Sequence, residues 1–379
     1  MKVRRRFIIR GKMIVFVLLL MFFLFPVSLQ AEEVSSEIDI EKLEEEMNGL
    51  DEDTDLPDFS SVFHALKNAD FKEVLSVSAR WLTETIIHEI ASSRILIAEL
   101  VGVVIFSAIF SSLSGSLERY SVGDSGFMIS YFIIFSIIFS NFTVMASLFK
   151  KTVVLLSNLI KIILPVYTLA VSLGGNLSAG VAFYEYFMVL VLLINQMLVN
   201  LVMPLIEYYL LLELLGNFTA KPNISKLCES LYLFLFRGMK LVYFLFFGAH
   251  LMETMIAPSL DLAKSSMIGR VTGLIPGGSL VQTVTGTVIG SSLLIKNVMG
   301  AASVLFLLFV LAVPFIKILL YVLFYLLLAI LLEPVADKRF VRCITAAQKS
   351  GLLFVYFLGM TATLFILIIA VTAMATNHV

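Results

Sequence analysis

The alternation of apolar and polar positions divides the chain into distinct stretches. A basic start (Arg4, Arg5, Arg6, Arg10 and Lys12) leads into a solid apolar run from Met13 to Phe25, which Pro26 breaks. That run falls short of the roughly 20 apolar residues a spanning helix needs. Ala31 and an abruptly acidic stretch follow, so residues 1–31 read as an export signal, cleaved after Ala31. Leu29 fits the small-x-small rule poorly, which leaves an uncleaved anchor open. Residues 32–58 hold thirteen acidic side chains against the single Lys42. Such a segment is too charged to pack and is expected to be a solvated, disordered, extracytoplasmic strip. Docking of a basic partner is its functional alternative.

The period changes over residues 59–94. Phe71, Val74, Leu75, Ser78, Trp81, Leu82, Thr85, Ile86 and Ile90 recur every three or four positions, one face of an amphipathic helix. Trp81, the sole tryptophan, and Leu82 are the candidate interface residues. They would meet the bilayer surface, an extracytoplasmic partner or the protein's own membrane part. Residues 95–375 then form a polytopic membrane domain of about 7–8 spans. Its candidate spans are Ile95–Leu113, Gly126–Leu148, Thr152–Leu173, Val181–Leu215, Leu231–Met252, Val298–Leu332 and Leu352–Ala375. Two of these runs exceed one membrane thickness and carry Pro204 and Pro314, which predicts kinked helices or a span plus a half-helix.

Charge placement tests the count. The stretch Glu333–Ser350 holds Lys338, Arg339, Arg342 and Lys349 and reads as a cytoplasmic loop. An extracytoplasmic mature N-terminus then requires an odd number of passes before it, and the spans above supply six. The glycine-rich element 273–297, with Pro276, Gly277, Gly278, Gly286 and Gly290, is the best candidate for one more crossing. Its small residues suit close helix packing. A hairpin in one of the long kinked runs is the rival solution, and a re-entrant element would leave the parity unchanged. This topology puts Cys228 outside and Cys343 inside, so no disulfide joins them.

Composition agrees with the patterning: 59% of the 379 residues are hydrophobic and 15% charged, at a mean hydropathy of +0.99. Soluble domains are about half apolar and a quarter charged. The fold class is therefore all-α, a polytopic integral membrane helical bundle with a cleavable signal peptide and a short extracytoplasmic helical region. The net charge of −1 carries no message about partners, because the charges are segregated along the chain, and no nucleic acid is expected as one. The chain has no H-E-x-x-H and no phosphate-binding G-x-x-x-x-G-K-[ST], and its cysteines have no metal or redox spacing. It reads as no enzyme, with no cofactor and no metal.

Charges inside lipid cost about 2.5–3.5 kcal/mol each on insertion scales, so each is a candidate functional group. Lys161, Glu207, Glu213, Arg237, Lys240 and Lys317 are the deep ones, while Glu99 and Glu185 lie near span ends, where side chains snorkel. Arg237 and Lys240, one turn apart, are expected to face Glu207 or Glu213. Internal ion pairs and a polar pathway for a solute both remain open. The glycine pairs at Leu173 and Pro276 each precede a membrane run, as matched helix breaks do in transporters.

"HEIASSRILIAELVGVVIFSAIFSSL" and "LIPGGSLVQTVTGTVIGSSLLIKNVMGA", together with the signal and the exported amphipathic segment, resemble the stage III sporulation protein AE family of endospore-forming Firmicutes. The similarity runs from about Ala91 to the C-terminus, and "TVIGSSLLIKN" is its most specific part. The acidic segment is not carried over. The resemblance implies a core component of a secretion-like apparatus in the mother-cell membrane that engulfs the forespore, needed for sporulation and late forespore gene expression. It also implies other stage III sporulation membrane proteins, a separate ATPase subunit and a forespore-side partner across the intermembrane space. The bilayer itself and a second copy of the chain are further partners. A stand-alone secondary transporter and a scaffold that recruits partners are the alternatives.

Overall fold

The computed structural model describes residues 64–66, 68, 71–95, 98–99, 101–102, 105–106, 109, 122–173, 177–219, 224–248, 278–334 and 338–375. The export signal, the acidic segment and residues Pro276 and Gly277 lie outside the described residues. Every described element is helical. Helix α1 is Phe71–Ser92, α2 Val122–Leu173 and α3 Leu177–Met197. A π-turn, Leu198–Val202, joins α3 to α4, Met203–Thr219. Helix α5 is Ile224–Gly248, α6 Gly278–Leu332 and α7 Lys338–Ala375. The residues described between 94 and 109 are helical as well.

Among the described residues, five helices are long and apolar enough to cross a membrane. In hydrocarbon the backbone must satisfy its own hydrogen bonds, which selects helix over every open alternative. Three buried hydroxyls follow the same rule. Ser157, Ser350 and Thr361 each donate to the carbonyl four residues back, on Val153, Ala346 and Phe357, and so enter an apolar bundle without an unmet donor.

Three expectations change. Gly126–Leu148 and Thr152–Leu173 are one continuous helix, because Lys150 and Lys151 interrupt hydropathy but are good helix formers. The glycine-rich element, where described, is no separate crossing. Gly278, Gly286 and Gly290 lie inside α6, which runs without reversal through Val298–Leu332. Without water to compete for the backbone, these glycines do not break the helix, and the missing pass is not supplied there. The basic stretch 333–350 is likewise helical from Lys338 onward. The long 181–215 run does bend its register, since the π-turn sits immediately before Met203 and Pro204. Proline donates no N–H and crowds the carbonyl of Asn200, and one wider turn absorbs both defects.

Helices α6 and α7 pair closely, and α2 and α4 pack on α7. Only five residues separate α6 from α7, so the pair is antiparallel. The three-helix centre closes on Gly351. A Cβ there would lie 2.7 Å from Val322 Cγ2 and 3.3 Å from Met145 Sδ. Nearby, the Phe354 ring stands 5.5 Å from Phe142 and 4.9 Å from Phe149, so α2 and α7 lock through aromatic contacts.

Candidate functional site

The polar side chains gather into two clasps within the apolar bundle. The upper one ties α1 to α6. Trp81 meets Phe309 edge-on, ring centroids 5.1 Å apart, and Glu89 Oε1 lies 3.1 Å from Lys317 Nζ. The two contacts share one residue offset, so α1 runs alongside α6 in the same direction. Its inward stripe is Val74, Ser78, Trp81, Thr85 and Glu89, while Leu82, Ile86 and Ile90 stay exposed. Trp81 therefore serves an internal contact, and Leu82 does not share it. The Glu89 residue is 3% exposed, which makes a paired charge the state that burial tolerates.

The same register continues below. Glu99 Oε2 accepts a hydrogen bond from Asn141 Nδ2 at 3.0 Å, and Tyr325 of α6 stands against Asn141. Tyr321 faces both Glu89 and Glu99. Lys317, Tyr321 and Tyr325 repeat every four residues, so one edge of α6 collects the polar groups of three other segments. The Glu89–Lys317 ion pair and the Glu99–Asn141 hydrogen bond can hold these helices in register, with Tyr321 and Tyr325 packed between them.

The lower clasp ties α2, α4 and α7. The Cys343 thiol donates to the Tyr131 hydroxyl oxygen at 3.0 Å, and that hydroxyl donates to the Leu214 carbonyl at 2.5 Å. Next to it Lys349 Nζ approaches Glu213 Oε1 at 3.9 Å, and Cys228 of α5 lies against Glu213. Both cysteines are buried and free, and Glu213 reaches both. They occupy one end of the bundle, which corrects the expectation of opposite sides: the continuous helices remove the passes that would have separated them.

The deep charges fare differently from one another. Lys317 and Glu213 each find a partner. Lys161 reaches Asn158 Oδ1, at 3.4 Å, and has no ion pair among the described residues. Arg237 and Lys240 do not pair with Glu207 or Glu213: Glu213 takes Lys349, and both basic residues are exposed on the outer side of α5. Lys240 Nζ sits 4.3 Å over the Phe236 ring, a cation–π contact. Glu89, Asn141, Tyr321, Tyr325 and Tyr131 escaped the sequence reading. Extending the Trp81 stripe by two turns would have reached Glu89. The tyrosines carry no such signal, being one phenol type among many apolar neighbours. Among the described residues no group of three or more His, Cys, Asp or Glu is placed to hold a metal ion.

A family model described as stage III sporulation protein AE matches residues 57–376. The stage III sporulation protein AE of Bacillus subtilis (strain 168) is 25% identical over 294 residues, 76% of this chain and 73% of that protein. No solved structure matches.

Proposed function

Because the chain belongs to the stage III sporulation protein AE family, we propose that it is a membrane-embedded core component of a multi-protein, secretion-like channel apparatus between mother cell and forespore. It sits in the mother-cell membrane that engulfs the forespore, with its mature N-terminus extracytoplasmic, and late forespore gene expression depends on it. Other stage III sporulation membrane proteins, a forespore-side partner and a separate ATPase complete the apparatus. The last is consistent with this chain's lack of a phosphate-binding loop of its own.

The upper clasp carries this reading. A core component must present, at membrane level, a firmly held surface that partner subunits can meet. Helix α1 is pinned to α6 by Trp81–Phe309 and Glu89–Lys317, yet it leaves Ile86, Ile87 and Ile90 exposed along its other side. The basic end supports the orientation, because Lys338, Arg339 and Arg342 cluster where α7 begins and suit the cytoplasmic leaflet. A stand-alone transporter would use Lys161, Glu207 or Lys317 as coupling groups, and of these Lys317 is already engaged by Glu89.

The test is extraction of a tagged copy from a sporulating native host in mild detergent. One large particle that also contains other membrane proteins and an ATPase is the expected result. Recovery of this chain with neither overturns the reading in favour of an independent transporter.

A further inference from the structure

We infer that the chain associates with further copies of itself, the α5 face of one copy meeting the α4 face of the next through an intramembrane Arg237–Glu207 ion pair. The inference goes beyond the sporulation apparatus and does not depend on it.

Arg237 is near the middle of α5, Ile224–Gly248, about 16–20 Å from either end at 1.5 Å per residue. It is exposed, flanked along the helix by the exposed Phe234, Leu241 and Phe244. A guanidinium at that depth is too far from either interface to snorkel fully and calls for a partner. Among the described residues no acidic group forms an ion pair with it. On α4, Glu207 is half-buried and likewise forms no ion pair, whereas its neighbour Glu213 is taken by Lys349. Arg237 on α5 and Glu207 on α4 are thus a deep cation and a deep anion without an ion pair among the described residues, while Lys240 rests on the Phe236 ring.

Their depths match. Cys228 lies against Glu213, and Tyr232 lies against Tyr209 with ring centroids 5.6 Å apart. These pairs set α4 and α5 antiparallel, and continuing the register brings Arg237 level with Pro204. Glu207 is then about three residues, or roughly 4.5 Å, away along the membrane normal. Tyr209 is turned towards α5, so Glu207, two positions earlier, points to the far side of α4. Within one copy the two charges face different ways. In a second copy rotated about an axis along the membrane normal, depth is preserved and the two meet within side-chain reach. Such a contact is head-to-tail, so repetition builds a ring or an open row. A partner of another kind would need an acidic group at the same depth, and nothing on α5 asks for more than this chain already provides.

The test uses full-length chain in a non-sporulating host, without other sporulation proteins. Two differently tagged copies, one with Arg237→Cys and one with Glu207→Cys, are co-expressed and oxidised in the membrane. A disulfide between the two tags is expected, and none in the unsubstituted pair, whose native thiols are buried. Absence of the cross-link, or only same-position cross-links, overturns the inference. In the second arm, subunit counting in vesicles reads self-association. Arg237→Glu or Glu207→Arg alone should lower it at least about tenfold, as loss of a buried ion pair does. The double reversal should return it to within about twofold of the parent. If a reversal blocks insertion, Arg237→Met and Glu207→Gln give the same single-site reading. Single variants that self-associate normally, or oligomers that appear only with other sporulation proteins present, refute a second copy as the occupant.

Discussion

Helices α5 and α7 are each apolar enough to cross a bilayer, and the bundle treats them in opposite ways. More than half of the apolar stretch of α7 is buried, against about a tenth of that of α5. Solvent does not explain the contrast, since lipid is as apolar as leucine and exerts no inward drive on either helix. Shape and hydrogen bonding do. Helix α7 presents Ala346, Ala347, Gly351 and Ala362 to its neighbours, all closely buried. Its Ser350 and Thr361 hydroxyls are closed on their own backbone. Helix α5 carries bulky Phe234, Phe244 and Leu245 outward, with Arg237 and Lys240 among them. Burial in this membrane protein records where backbones can approach.

The sharpest way to break the comparison is Gly351→Leu. A side chain there collides with Val322 and Met145. Overpacking typically costs about 1–3 kcal/mol, and because two helices must retreat the upper end or beyond is expected. Detergent-solubilised protein should lose its monodisperse elution peak and most of its thermal stability. Lys317→Met comes next. It leaves the buried Glu89 without its cation, and the pair, with lysine partly exposed at 39% of its side chain, should show about 1–3 kcal/mol of coupling. A double-mutant cycle with Glu89→Gln, read by thermal unfolding, measures it, and additive single effects would contradict the clasp. Tyr131→Phe removes one hydroxyl from the Cys343–Leu214 relay. Stability should fall by about 1–2 kcal/mol, the usual cost of leaving a buried carbonyl unmet, and no loss on unfolding assays would deny the relay a structural role. Smallest of all is Phe244→Ala on α5, 69% exposed. It should change stability by less than about 0.5 kcal/mol, and a large drop would mean that α5 is packed rather than lipid-facing.

Much of this was legible in the residues. The all-helical membrane class followed from the apolar runs, and the amphipathic helix around Trp81 was read before its neighbours were known. Lys317 stands out in the sequence as a charge inside a long apolar run. Its partner does not, because Glu89 lies on a segment read as exported and far away in sequence. Helix boundaries failed at Lys150–Lys151 and at Gly286 and Gly290 for one physical reason. Hydropathy and glycine content describe side chains, whereas helix continuity in an apolar medium is decided by the backbone. Arg237 was expected to turn inward because charges avoid lipid. Lys349 had already taken Glu213, and that competition is invisible without the fold.

The length of α6 has a mechanical consequence. Its 55 residues make a rod of about 82 Å at 1.5 Å per residue, well over twice the hydrocarbon depth. A stiff rod turns angle into travel: a tilt of about 5° about Pro314, roughly 54 Å from the Gly278 end, moves that end by about 5 Å. Pro314, inside the helix, removes one backbone bond and gives this lever a joint. The Glu89–Lys317 clasp sits one turn further along, so α1 is fastened almost at the fulcrum. Movement at the basic end of the bundle would be felt most at the glycine-bearing tip and least where α1 is held.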